Sequence, residues 1–251
     1  MAVTATLFAP RSSSTTLPIL PVTTKAANYN SLDGGLHSFR MQIDGPHTEE
    51  EATRFRIALE RNTTLMEVLR RAATMNLPGW YLAAGALTQS VWNYVTDQDP
   101  ENGIDDYDLI YCDNSDLSWE AEDAVIQAGA KLFEGLPSRV EIRNQARVHL
   151  WYQQKFGMPC PQHTSTEGAI LTWLSGTALF GVRLLPNNDW KVFAPWGFTD
   201  ILSLTVRPNP VSGTRTVYEQ KAARWKGIWS GLKIIPWPDI EATKAAEELD
   251  E

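Results

Sequence analysis

Helical and strand patterns alternate along the middle of this chain, and that alternation predicts an α/β or α+β fold. Two observations carry the prediction. Short apolar and aromatic runs, such as Trp80-Tyr-Leu-Ala-Ala84 and Gly103-Ile-Asp-Asp-Tyr-Asp-Leu-Ile-Tyr111, sit between turn residues as strands do. Between such runs lie segments with apolar residues at helical spacing, several of them opened by capping sequences. A length of 251 residues, with 43% hydrophobic and 21% charged residues, suits one large globular domain or two small ones.

Residues 1–32 hold no Asp or Glu and ten Ser or Thr, with Arg11 and Lys25 as the only cations. They read as a disordered leader rather than an organelle-targeting peptide, which would be richer in Arg. Order is expected from Thr48, where Thr48-Glu-Glu-Glu51 forms a capping box, so residues 1–47 are assigned to the leader. A second box, Thr64-Leu-Met-Glu67, predicts a helix restarting after Asn62, with Leu65, Val68, Leu69 and Ala72 on one face. Asn76-Leu-Pro-Gly79 stops it. A strand over 80–84, a turn at Gly85 and a helix over 86–96 follow, and then the strand that contains Asp106 and Asp108.

Ser118 begins a long helix to about residue 134, and Arg139-Val-Glu-Ile-Arg143 is another strand. The remaining expectations are a helix near 145–153, a capped helix over 165–174, strands near 178–185 and 190–195, and a helix near 216–230. The domain is placed at residues 48–238. Residues 239–251 form an acidic tail with six acids and one Lys, which accounts for five of the eight net negative charges.

Without a cluster of Lys and Arg, tight binding to long nucleic acid is not expected. No apolar run is long enough to cross a bilayer. Two cysteines and no secretory signal point to a reducing, cytoplasmic setting. Four His and two Cys show none of the paired spacings of a zinc site.

The chemistry is concentrated at Asp105, Asp106 and Asp108. On a strand, Asp106 and Asp108 project from one side while Asp105 and Tyr107 point the other way. Two carboxylates ~4 Å apart repel by about 4 kcal/mol at an effective dielectric of ~20. Such a pair persists if it is solvated, if one member is protonated, or if a hard divalent cation such as Mg²⁺ neutralises both. Glu141, between Val140 and Ile142, has the same grammar and joins the pair if the two strands are neighbours. Gly85-Ala86 stands where a strand turns into a helix, and free N–H groups there favour phosphate.

The order Gly85-Ala86, Asp106-Tyr-Asp108-Leu109, Val140-Glu-Ile142 resembles the polymerase-β-like nucleotidyltransferase superfamily. Within it, the chain resembles a mostly bacterial family of predicted nucleotidyltransferases first catalogued as a domain of unknown function. The stretches that carry the resemblance are GALTQSVWNYV, GIDDYDLIYCDNSDLSWEAED, VEIRNQARVHLWYQQKFG, SGTALFGVRLL, APWGFTDILSLTVRPN and YEQKAARWKGIW, and NQARVHLWY is the most family-specific part. Two features depart from the pattern. Ala86 replaces the Gly or Ser common in the turn, and Phe198-Thr-Asp200 has one acid where two in succession are expected.

The resemblance implies an α+β core with a mixed sheet, a two-metal site using Mg²⁺ or Mn²⁺, and transfer of a nucleoside monophosphate from NTP. Asp106, Asp108 and Glu141 are the expected metal and catalytic residues, and Gly85 and Ala86 the phosphate turn. Arg147 and His149 are candidates either for substrate phosphates or for structural hydrogen bonds. Arg183 is a candidate either for the triphosphate or for a buried acid. The expected acceptor is a small molecule or protein hydroxyl. The alternatives are a non-catalytic nucleotide-binding module and a two-metal nuclease or phosphohydrolase.

Overall fold

The computed structural model describes residues 40–211 and 214–238, so the expectations for the leader before residue 40 and for the tail lie outside the described residues. A six-stranded mixed sheet is built from β1 (Met41–Asp44), β2 (Tyr81–Ala83), β3 (Asp106–Tyr111), β4 (Arg139–Asn144), β5 (Gly181–Leu184) and β6 (Trp190–Phe193), in the order β1-β6-β5-β2-β3-β4. β3 and β4 run parallel, as do β1 and β6, while β2 pairs antiparallel with β3 and β5, and β5 with β6.

The helices are α1 (Glu49–Arg61), α2 (Thr63–Thr74), α3 (Gly85–Val95), α4 (Trp119–Leu132), α5 (His149–Phe156), α6 (Thr166–Ile170), α7 (Thr199–Leu202) and α8 (Arg215–Ile228). A two-stranded parallel sheet, β7 (Thr205–Val206) with β8 (Lys233–Ile234), follows at the end of the domain. The fold is α+β. No described helix is long and apolar enough to cross a membrane.

Period-two alternation divides β3 between two environments. Tyr107, Leu109 and Tyr111 enter the main core with Phe55, Leu59 and Leu69 from α1 and α2, and with Leu87 from α3. Ile110 faces the other side, against Tyr81, Ile170 and Leu179, and Asp106 and Asp108 share its phase. Asn62 locks the core side: its side-chain amide donates to Ser90 Oγ and to Tyr107 Oη, both at 3.1 Å, while its Oδ1 accepts from the Leu65 amide at 2.8 Å. Asn62 is therefore the cap of α2, where the sequence pointed to Thr64; Glu67 is instead bonded to Arg71.

The Thr48–Glu51 box is present as expected, and Ser118 caps α4. Order begins earlier than Thr48, because β1 adds an edge strand to β6. The predicted helix at 165–174 is only the short α6, and that near 145–153 is a 3-10 turn at Gln145–Arg147 followed by α5.

A third cluster pins α8 onto α3, through Trp92, Tyr218, Trp225 and Trp229. The Trp229 indole donates to Asn93 Oδ1 at 2.8 Å, and the Tyr218 hydroxyl donates to the carbonyls of Val206 and Ile235 at 3.0 and 2.6 Å. Gly103 is required here. With φ +71° and a would-be Cβ 2.7 Å from the Trp229 ring, no other residue fits without displacing that ring. The close packing brings α8 beside the start of β3.

Candidate active site

β3 and β4 pair in a register that sets Asp108 beside Glu141 and Asp106 beside Arg139, so the three acids share one face of adjacent strands about 4.8 Å apart. On the other side of β3, Asp108 adjoins Ala83 of β2, the residue from which the chain turns into α3. One cavity of about 500 Å³ takes in Gly85, Ala86, Asp106, Asp108 and Glu141. Its volume is in the range of small-molecule sites.

The electrostatics are unbalanced. Burial pushes the Asp108 carboxyl up to about 7, and the neighbouring charges of Asp106 and Glu141 push in the same direction. Lys221 and Arg143 act against the shift without cancelling it. Lys221 is exposed by area, yet the protein around it desolvates its ammonium and holds it below the usual lysine range, although Asp108 and Asp106 favour its charge. Arg139 bridges Asp106, at 3.2 Å, and Glu141, and Arg143 lies 3.8 Å from the other oxygen of Glu141. Asp105 is turned out to the rim, mostly exposed, and is paired with Arg224 of α8 at 2.7 Å.

The start of α3 differs from that of every other described helix longer than eight residues. Thr48, Asn62, Ser118 and Thr214 cap α1, α2, α4 and α8 with side-chain oxygens, whereas α3 has no side-chain cap. Its first N–H groups are thus left for another acceptor. The residue with unusual backbone is Ala84, at φ 58° and ψ −131°, rather than Gly85. A Cβ on Gly85 would meet nothing closer than 3.6 Å, so what glycine adds there is open space above the helix start.

Three of the candidate binding residues, to each of which the sequence also allowed a structural role, lie outside this cavity. Arg147 is consumed by a buried pair with Glu122, donates to the Leu117 carbonyl at 2.9 Å, and stacks on Trp119. Arg183 lies over the Tyr81 ring at 4.9 Å. His149 is partly buried next to His163, whose imidazole is held below its usual range first by burial and then by His149.

In their place the cavity gains Lys221 and Arg224 from α8 and Lys155 from α5. The sequence signal for α8 was available: Thr214, Val217, Lys221 and Arg224 recur at helical spacing, on a stripe next to the buried Tyr218, Ala222 and Trp225. Asp200, noted in the sequence as a lone acid, is paired with Arg207 at 2.9 Å.

Residues 70–234 match the family model of a nucleotidyltransferase. The chain belongs to the nucleotidyltransferase family. Among solved structures, this nucleotidyltransferase is similar to one determined by NMR and described as revealing a CCA-adding enzyme head domain. The TM-score is 0.59 and the identity 22%, over 76% of this chain and 96% of the other. At that identity the likeness concerns the fold. Among curated proteins the chain has no match. Nucleotidyl transfer, with NTP as the donor, is the activity of the family.

The donor set suits a hard divalent cation in its chemistry: three oxygen-only acids on adjacent strands, with Asp108 raised first by burial and then by the charges of Asp106 and Glu141. Among the described residues no three acids already converge as a metal cluster. Arg139 stands between Asp106 and Glu141, and as a mostly exposed side chain it is displaced at small cost.

Proposed function

We propose that this nucleotidyltransferase is metal-dependent and transfers a nucleoside monophosphate from NTP to a hydroxyl of a small molecule or protein. The supporting observation is the alignment of Asp106, Asp108 and Glu141 on one face, in the same cavity as the uncapped start of α3. Asp106 and Asp108 would hold the triphosphate-side Mg²⁺ or Mn²⁺, and Glu141 would complete the acceptor side with them. The bound metal supplies charge neutralisation at the α-phosphate and a lowered hydroxyl pKa.

The chain's own residues do the rest. The first N–H groups of α3, at Gly85 and Ala86, donate to the outer phosphates. Lys221 and Arg224 offset the triphosphate charge from α8, and Lys155 does so from α5. The acceptor oxygen forms a bond to the α-phosphorus as the bond from that phosphorus to the β-bridging oxygen breaks. Pyrophosphate leaves, and the hydroxyl proton passes to the carboxylate set and on to water. An acidic chain without a long basic track favours an acceptor other than a polynucleotide.

The test is incubation with each labelled NTP and Mg²⁺, with and without a fractionated metabolite and protein extract. Pyrophosphate together with a labelled, non-polynucleotide product is the expected result. Release of nucleoside monophosphate with no labelled acceptor would point to a hydrolase instead, and NTP binding with no product to a non-catalytic module.

A further inference from the structure

Helix α5 buries none of its eight residues, yet it carries Trp151, Tyr152 and Phe156. The three rings pack on one another, Tyr152 and Phe156 with centroids 4.7 Å apart and Trp151 and Tyr152 6.2 Å apart, and all three line the catalytic cavity. Leu150, also on α5, is 55% exposed and Phe156 40% exposed, so this is apolar surface that folding has not absorbed. Ile110 and Trp173 extend the apolar wall in the same cavity.

Lys155 ties the rings to the reaction centre. Its ammonium lies 5.5 Å from the Trp151 ring and 5.2 Å from that of Phe156. Its charge also reaches Lys221, which in turn feels Asp108 and Asp106. The cavity thus has an aromatic part and a charged part joined by one lysine. A nucleotide has the same two halves, a flat base and a charged phosphate chain. Every base presents a π-face, and aromatic side chains bind such faces whatever the base.

We propose that Trp151, Tyr152 and Phe156 form the seat of the NTP base, with Lys155 taking the phosphate nearest to it. This rests on the reading of Asp106, Asp108 and Glu141 as the metal–triphosphate centre. The rings belong to α5, which the buried Arg147–Glu122 pair anchors just before its first residue, so the seat is attached to a fixed base.

The experiment is calorimetric titration with two ligands, a non-hydrolysable ATP analogue and inorganic tripolyphosphate, both with Mg²⁺. Wild type is expected to bind the analogue more tightly than tripolyphosphate. Trp151→Leu and Tyr152→Leu should weaken the analogue by roughly 5- to 150-fold, the span of one lost base stack, and leave tripolyphosphate unchanged. Trp151→Phe should restore most of the loss. Lys155→Met, at an exposed position, is a second variant that leaves the rings in place and should weaken both ligands to a similar degree. Equal losses on both ligands in the leucine variants, or no loss on either ligand in all of the variants, would overturn the base seat. If wild type binds tripolyphosphate as well as the analogue, the base seat fails while the metal–triphosphate centre stands. If wild type binds neither, both fail.

Discussion

Two groups of charge, one buried and one half-buried, lie on or beside β4, and they are built in opposite ways. Glu122 of α4 is 3% exposed and fully matched: it pairs with Arg147, and its other oxygen accepts the Asn144 amide at 2.8 Å. Asp108 instead has two acids as neighbours, Asp106 and Glu141, which raise the carboxyl that burial has already pushed up, and Lys221 and Arg143 offset them only in part. The first arrangement carries all the charge the fold needs and holds the β4–α5 corner. The second brings three acids onto one face, where Arg139 bridges Asp106 and Glu141 and the Asp108 carboxyl stays raised. The two acids differ in their partners as well as in their burial.

The comparison can be broken from the structural side first, where the effect should be largest. Glu122→Ala leaves the Arg147 guanidinium buried without its partner, which costs about 3–5 kcal/mol. Thermal melting should show a large drop, with any activity loss following the loss of fold. A Tm close to wild type would mean that the pair is dispensable.

On the functional side, Asp106→Asn and Asp108→Asn should each reduce pyrophosphate release at least about 100-fold, with far-UV dichroism unchanged. Glu141→Gln should resemble them in rate while keeping more of its triphosphate affinity, if it serves the acceptor side as proposed.

The pH dependence sharpens the contrast further. A carboxyl raised in the folded chain binds its proton more tightly than in the unfolded one. The stability from Asp108 is therefore fully present below its ordinary value of 3.8 and is lost as the pH rises toward about 7. In metal-stripped protein the loss amounts to a few kcal/mol, to order of magnitude. Melting curves from pH 4 to 8 should fall more steeply for wild type than for Asp108→Asn. Parallel curves would show that Asp108 is not held against its neighbours.

Asp105 gives the smallest effect. It is exposed and paired only at the surface with Arg224, an interaction worth about 0–1 kcal/mol. Asp105→Asn should change pyrophosphate release less than a few-fold, and a loss as deep as that of Asp106→Asn would mean that the wrong acids are assigned.

Much of the geometry around Asp106 and Asp108 was legible because its signal is local. The phase of Asp106 and Asp108 follows from strand alternation, and Thr48–Glu51 and Ser118 are caps read within four residues. What escaped depends on distant contacts. Arg224 meets Asp105 from 119 residues away, and nothing near the acids announces it. The role of Arg147 stayed open between phosphate ligand and structural hydrogen-bonder because its partner, Glu122, sits on a helix whose inner face cannot be told from sequence alone. β1, β7 and β8 are two to four residues long, too short for periodicity to register, and their partners define them. Asn62 outcompeted Thr64 as the cap because its amide also bonds into the core.

The most direct measurement is the melting temperature at pH 8, with and without Mg²⁺, of wild type and Asp108→Asn. A cation bound only by the native chain stabilises it by about 2.7 kcal/mol at a hundredfold excess over its dissociation constant. Mg²⁺ should raise the wild-type Tm, whereas Asp108→Asn should melt higher than wild type without metal and gain nothing from it. An equal Mg²⁺ shift in both proteins, or none in wild type, would contradict the assignment of these acids to a cation.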